Sequence, residues 1–477
     1  VRRYWSVPRS DSFIGQYWKK IIKIANRRQA VKIYVMKIVL GSLTFAVASA
    51  VFFLFFVPRV YVIVPAAVPQ NGGVQIAVAS LPSIPEASAP TSVLPQSKPS
   101  PLLTDLPKQV PLPNPPEVVK GVYLTGWSAG YTPRVNSLIA LAKRTEINAM
   151  VIDIKDFSGH VSYKTGIPEV VATGAESEIR ILQPNALLKK LHDAGIYVIA
   201  RETVFQDPLL AKAHPEWALK NSSTSKIWTD RKGLAWMDPA AKPVWEYNIS
   251  IAKDAIARGF DEVQFDYVRF ASDGDLGQIS YPFWDQKTAR HKVIARFFKY
   301  LRDNLPSAKI SADLFGLSTV DTWDDLGIGQ VIEDAYKNFD YVSPMVYPSH
   351  FAPGTLGYKN PAKAPYEVIN YSMERALARL KNYELGIMNK ASSTATSTNE
   401  ILTQGGPNSP AVHRSKLRPW LQDFNLGAVY DAAMVKKEMQ ATYDVFLNGT
   451  SSDPAKFGGW LLWDPANTYT EAALEKK

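Results

Sequence analysis

The sequence predicts an α/β fold, a (β/α)8 barrel at the C-terminal end of a longer chain. Three features carry the prediction. Short apolar runs recur eight times from residue 119 onward, amphipathic stretches of helical length separate them, and most runs end in a polar or charged residue. Strand–helix alternation implies a parallel sheet, and a count of eight favours closure over an open sheet.

The strands are expected at 119–125, 149–155, 197–202, 262–267, 309–314, 341–347, 419–424 and 459–463. Helices are expected at 135–145, 184–194, 242–258, 285–304, 366–382 and 431–447, with a last one after the eighth strand. An open doubly wound sheet would call for a glycine-rich phosphate turn after the first strand. Thr125–Gly130 (TGWSAG) has neither the glycine spacing nor the helix start of such a turn. Two stretches interrupt the pattern: a loop at 203–240 rich in Trp, Pro and polar residues, and a low-complexity insertion at 391–410 expected to be disordered.

Ahead of the barrel, at 117–477, the chain divides by composition. Of 477 residues, 54 are basic and 44 acidic, for a net charge of +10, which would suit a polyanionic partner if it were spread over the domain. It is not spread. Residues 1–37 hold ten basic side chains against one acid, Asp11, so nearly all the excess charge lies there. Residues 38–57 then run for twenty positions without a charge, long enough as a helix to cross a bilayer of about 30 Å. The basic flank places 1–37 in the cytoplasm, residues 38–57 as a single transmembrane helix, and the barrel outside. The excess charge therefore reports orientation, and no nucleic-acid partner is expected. The alternation of Phe13, Ile14, Tyr17, Trp18 and Ile21 with lysines would also suit a helix lying on a membrane surface. Residues 58–116 carry 14 of the 34 prolines and are expected to form a disordered, extended linker.

Active sites of α/β barrels lie at the C-terminal ends of the strands, so a carboxylate at such an end is informative. Strand two reads VIDIKD (151–156), strand three VIARE (198–202), strand four VQFDYVRF (263–270) and strand five ISADLFG (310–316). Strand seven reads WLQDF (420–424) and strand eight WLLWDP (460–465). Hydrolysis of a glycosidic bond uses two carboxyl groups, one protonating the leaving oxygen and one attacking or activating water. Tryptophans offer flat faces on which sugar rings stack, and Trp127, Trp217, Trp228, Trp236, Trp284, Trp420 and Trp463 fall in the barrel region. The six histidines form no zinc-hydrolase pair, the chain has no cysteine, and no Gly-x-Ser-x-Gly elbow is present. No metal and no cofactor is expected.

The blocks GVYLTGWSAG (121–130), MVIDIKDFSG (150–159), FDEVQFDYVRF (260–270), YVSPMVYPSHF (341–351), RPWLQDF (418–424) and GGWLLWDP (458–465) resemble the glycosyl hydrolase domain of bacterial envelope proteins. The resemblance spans about residues 118–470 and implies a barrel distantly similar to the alpha-amylase and related clans. It implies Asp266, ending strand four, as nucleophile or base and Asp313, ending strand five, as general acid, with Asp153 the substitute. Asp423 and Asp464 would hold sugar hydroxyls. Lys155, Arg201, Glu202, Tyr347 and His350 would contact substrate, together with Trp127, Asp156, Gln264, Arg269 and Trp463. The amylase pattern carries Arg two residues before the nucleophile and Glu on strand five, where this chain has Gln264 and Asp313.

The expected function is hydrolysis of an envelope or extracellular polysaccharide by a pair of carboxylates on a membrane-anchored domain. The alternative is a polysaccharide-binding scaffold that kept the barrel and lost the chemistry, in which case Asp266→Asn would leave glycan binding unchanged.

Overall fold

The computed structural model describes residues 104–394 and 415–477. The basic segment 1–37, the apolar stretch 38–57, most of the linker 58–116 and nearly all of the insertion 391–410 lie outside them. Among the described residues no helix is long and apolar enough to cross a membrane.

Eight parallel strands close into a barrel. They are β1 (Val119–Leu124), β2 (Ala149–Lys155), β3 (Tyr197–Thr203), β4 (Glu262–Asp266), β5 (Ile310–Phe315), β6 (Tyr341–Met345), β7 (Lys416–Leu417 and Trp420–Gln422) and β8 (Gly459–Trp463). Each pairs with the next, and β8 returns to β1 with Val119 opposite Gly459. Strand β7 is interrupted where Pro419 has no N–H to give. The ladder persists across the break, with Arg418 N donating to Val342 O at 3.0 Å and Leu461 N to Pro419 O at 2.9 Å.

The helices that pack outside are α1 (Thr132–Arg144), α2 (Pro184–Asp193), α3 (Lys242–Arg258), α4 (Arg290–Asn304), α5 (Ile332–Tyr336), α6 (Pro365–Thr394) and α7 (Ala432–Tyr443). Two elements differ from expectation. The fifth crossover, where no helix was expected, contains the short α5 after a loop at 316–331, and the expected last helix is a single turn, Glu471–Ala473. After β1 the chain does enter a helical turn, Gly126–Gly130, capped by the Thr125 side chain accepting from Ser128 N at 3.1 Å.

Two apolar layers result from the period-two alternation of the strands. Val122, Ile152, Val198, Phe265 and Leu462 face the helices. Val119, Tyr123, Ala149, Val151, Tyr197, Ile199, Trp420 and Leu461 face inward. Deep inside, Arg418 pairs with Glu262, and Ser311 donates to the same carboxylate at 2.5 Å. The N-terminal end of the barrel is covered by the end of the proline-rich stretch. Asp105 accepts from Asn185 N and Ala186 N at the start of α2, at 3.0 Å each, and at the barrel's N-terminal end Leu112 N donates to Asp261 at 2.6 Å while its side chain packs on the inner layer.

Closure depends on one glycine. Gly459 has φ +101°, and a Cβ there would meet Val119 O at 1.8 Å. Gly459→Ala is therefore expected to cost more than about 3 kcal/mol through strain and displacement of β1. Gly166→Ala is the control: its φ is also positive, at +73°, but nothing lies within 4 Å, so it should cost about 1 kcal/mol. Thermal unfolding of the two variants checks the difference.

Candidate active site

The alternation that builds the layers also builds the site. At the C-terminal end of the barrel the inward residues become Tyr123, Asp153, Arg201, Asp266 and Asp313, one from each of β1 to β5. The Arg201 guanidinium sits at their centre. It donates to Asp153 from Nη1 at 2.6 Å, to Asp266 from Nη2, and to Asp313 from Nε at 3.4 Å. One planar group thus gathers three carboxylates, and this keeps the Asp266 and Asp313 carboxyls within about 9 Å of each other. Arg201 lies opposite Gln264 in the β3–β4 ladder. A guanidinium from β3 thus reaches the aspartate that ends β4.

Two side chains complete the hydrogen bonding. Tyr123 OH donates to Asp153 at 2.5 Å, and the Arg201 guanidinium lies 5.5 Å from the Tyr123 ring centroid. Trp420 Nε1 donates to Asp313 at 2.7 Å. Asp266 also accepts from Tyr267 N at 2.5 Å, and Tyr267 itself has φ +54°, in the left-handed region a bulky residue rarely adopts. Strain of this kind costs about 1–3 kcal/mol and concentrates at functional sites. Here it turns the Tyr267 ring into the mouth of the barrel.

Burial dominates the electrostatics. It raises Asp153 above the ordinary carboxylate range, against the opposing Arg201 charge. It raises Asp313 further, well above that range, with repulsion from Asp266 adding to it. Burial works against the charge of Arg201, but Asp153 and Asp266 outweigh it and hold the guanidinium firmly protonated. Tyr347 is kept neutral by burial and by the charge of Asp313.

A cavity of about 400 Å³ opens above the cluster, lined by Arg201, Asp266, Asp313 and Arg269 and walled by Tyr267, Phe315, Tyr347, His350, Phe351, Trp420 and Trp463. The aromatic wall is tightly built: Tyr347 and Trp463 lie 5.6 Å apart between centroids, and Phe424 packs edge-on against Trp463 at 5.0 Å. Burial lowers the pKa of His350, which leaves its ring neutral at physiological pH.

Not every residue singled out by sequence is at this mouth. Glu202 neighbours Arg201 in the strand, so it points the other way, toward the helices, where it is fully buried. Lys155 joins it there because the β2–β3 register shifts between Asp153 and Lys155 and reverses the alternation. Lys155 pairs with Asp207 at 2.7 Å and donates to Thr203 O and Asn248 of α3. Both are corrections: neither residue reaches the cavity. Gln264 is one layer too deep, donating to Ser343 at 3.2 Å.

Asp423 and Asp464 are engaged by the chain that follows β8. Asp423 accepts from Thr470 N and Oγ1 at 2.8 and 2.7 Å, and burial pushes it up to about 6. Asp464 caps the turn at Ala466 N. Asp156 pairs with Arg180, which lies 5.4 Å from the ring of the exposed Trp127, so these three form an outer patch rather than part of the cavity lining. The tryptophans of the 203–240 loop are also not open platforms, since Trp228 and Trp236 are buried core and Trp217 stacks on His214 at 3.8 Å. Tyr123, Tyr267, Phe315 and Phe424 were not expected at the site, and Trp420 was expected only as a face for a sugar ring, not as a donor to Asp313. Tyr123 and Trp420 share the inward parity of their strands, the one sequence signal that distinguishes them.

Fold and site together define a (β/α)8 barrel whose strand ends carry a carboxylate cluster beneath an aromatic-walled cavity. Residues 121–469 match the family described as "Putative glycosyl hydrolase domain", and the chain belongs to that family. Among solved structures, a hypothetical protein from Ruminiclostridium thermocellum is 42% identical, the match covering 40% of this chain and 96% of that one, with a TM-score of 0.37. The glycoside hydrolase domain of PgaB (BpsB) from Bordetella bronchiseptica is 12% identical over 76% of this chain and 100% of that one, with a TM-score of 0.47. The alpha-galactosidase TtGalA from Thermus thermophilus is 12% identical over 76% of this chain and 60% of that one, with a TM-score of 0.41. No curated protein matches the chain.

Proposed function

We propose that the barrel hydrolyses glycosidic bonds of an envelope or extracellular polysaccharide, with Asp266 as nucleophile or base and Asp313 as general acid. The observation that carries this reading is the gathering of Asp153, Asp266 and Asp313 around one guanidinium on the floor of an aromatic-walled cavity. The two environments suit the two roles. Asp266 accepts from the Arg201 guanidinium and from Tyr267 N, donors that stabilise a carboxylate. Asp313 has a 3.4 Å contact to Arg201 and accepts from Trp420 Nε1, but its burial beside Asp266 outweighs both and favours the protonated form that a general acid needs. Asp153 and Tyr123 hold Arg201 in place, and Trp463 and Tyr347 offer faces for sugar rings. The sequence supports the rest of the reading: residues 38–57 would anchor the protein, and the linker would carry the barrel away from the membrane on its outer side.

The pH profile tests the assignment. A general acid works while protonated, and Asp313 holds its proton above the ordinary aspartate range near 4. The alkaline limb of kcat/KM for the full chain in detergent, followed by release of reducing ends, is expected well above that range. An alkaline limb at about 4 would remove Asp313 from the role. Binding of a glycan with no turnover at any pH would favour the scaffold reading instead.

A further inference from the structure

We propose that Arg269 is a recognition site for an anionic sugar, gripping the carboxylate of a uronic acid unit bound in the cavity. The proposal rests on the reading of that cavity as a sugar site and adds the substrate's charge class.

Arg269 is buried to all but 8% of its surface, yet it lines the cavity. Its guanidinium is held between aromatic rings, 4.7 Å from the centroids of Trp236 and Phe315 and 5.3 Å from that of Tyr267. Nη1 donates to Phe270 O at 3.1 Å and to Ser272 Oγ at 3.0 Å, both neutral acceptors. Among the described residues no carboxylate pairs with it, whereas Arg180, Arg201, Arg258 and Arg418 each have at least one. Nε and Nη2 have no protein partner, and neither is sealed from solvent.

A buried cation is costly unless it is paired, and aromatic faces offset only part of that cost. The unpaired edge of a rigid guanidinium, facing a cavity, is matched by two oxygens of a carboxylate. The rings fix the fork and the bonds to Phe270 and Ser272 fix its rotation, so the group is set in place before any ligand arrives. The other arginine that lines the cavity, Arg201, is already engaged by Asp153, Asp266 and Asp313. Arg269 offers a charged sugar one position where its carboxylate is favoured, and that position would set the sugar's orientation over Asp266.

The test is equilibrium binding of D-glucuronate, D-galacturonate and D-mannuronate to the full chain in detergent, each against its neutral methyl ester. At least one acid is expected to bind about tenfold or more tightly than its ester. Arg269→Gln should abolish that preference, and Arg269→Lys, which keeps the charge and loses the fork, should retain part of it. The proposal is overturned if no acid is preferred over its ester, or if the preference survives in Arg269→Gln. It is also overturned if acetate displaces the acid at equal affinity, since the site would then hold any small anion. Loss of folding in one variant leaves the acid–ester comparison in the unaltered protein decisive. The readout is binding, so absence of turnover counts against the hydrolase reading alone, and absence of acid preference against this proposal alone.

Discussion

Arg201→Met should destabilise the barrel by about 3–5 kcal/mol at neutral pH and by far less near pH 4. The substitution keeps much of the side chain's volume and leaves three buried carboxylates without their shared cation. Asp153 and Asp313 are already raised by burial, and Arg201 is the main influence holding each down. Without it their folded-state values rise further above the unfolded value near 4. A carboxyl with a raised folded pKa favours the folded state below its unfolded pKa, and that advantage disappears as pH climbs through the folded one. The deficit should therefore open as pH rises above about 4 and persist at neutral pH and beyond. Thermal unfolding of the full chain across this range checks it, and a deficit independent of pH would mean that Arg201 acts by packing alone.

Asp266→Asn should lower kcat by about 10⁴-fold or more while leaving substrate binding close to unchanged. The amide oxygen can still accept from Tyr267 N, as the carboxylate does. Its NH2 group cannot accept from Arg201, and it can neither attack carbon nor activate water. The guanidinium keeps Asp153 and Asp313, which should preserve the fold. Comparison of kcat and KM for the variant on any glycan the protein cleaves gives the answer. A loss confined to KM would make Asp266 a binding residue.

The strands and their order were legible because apolar runs of strand length alternate with amphipathic helices, and the acids at strand ends because barrels gather function there. What separated inward from outward residues was parity, which assigns Arg201 to the site and Glu202 to the helices. Parity fails at Lys155, where a shift of register, set by the pairing of β2 with β3, turns the side chain outward. Apart from parity, Tyr123 carries no signal in the sequence and Trp420 stands there only among the candidate faces for sugar rings; both are core, with their polar atoms facing the aspartates. That dual role is visible only when the strands are assembled. Asp423 and Asp464 look like catalytic-face acids in sequence, yet they hold the turn after β8, a contact made by residues that carry no motif. The supply of a guanidinium from β3 to an aspartate on β4 likewise depends on the ladder that sets Arg201 opposite Gln264.

The most direct measurement of the central claim is the fate of solvent oxygen. The full chain would be incubated in 18O-labelled water with polygalacturonate, alginate, chitosan and peptidoglycan, and the products examined by mass spectrometry. Hydrolysis through Asp266 and Asp313 predicts one labelled oxygen at each new reducing end of the polymer cleaved, and none with Asp266→Asn. Unlabelled ends, or label that enters equally with Asp266→Asn, would contradict the account.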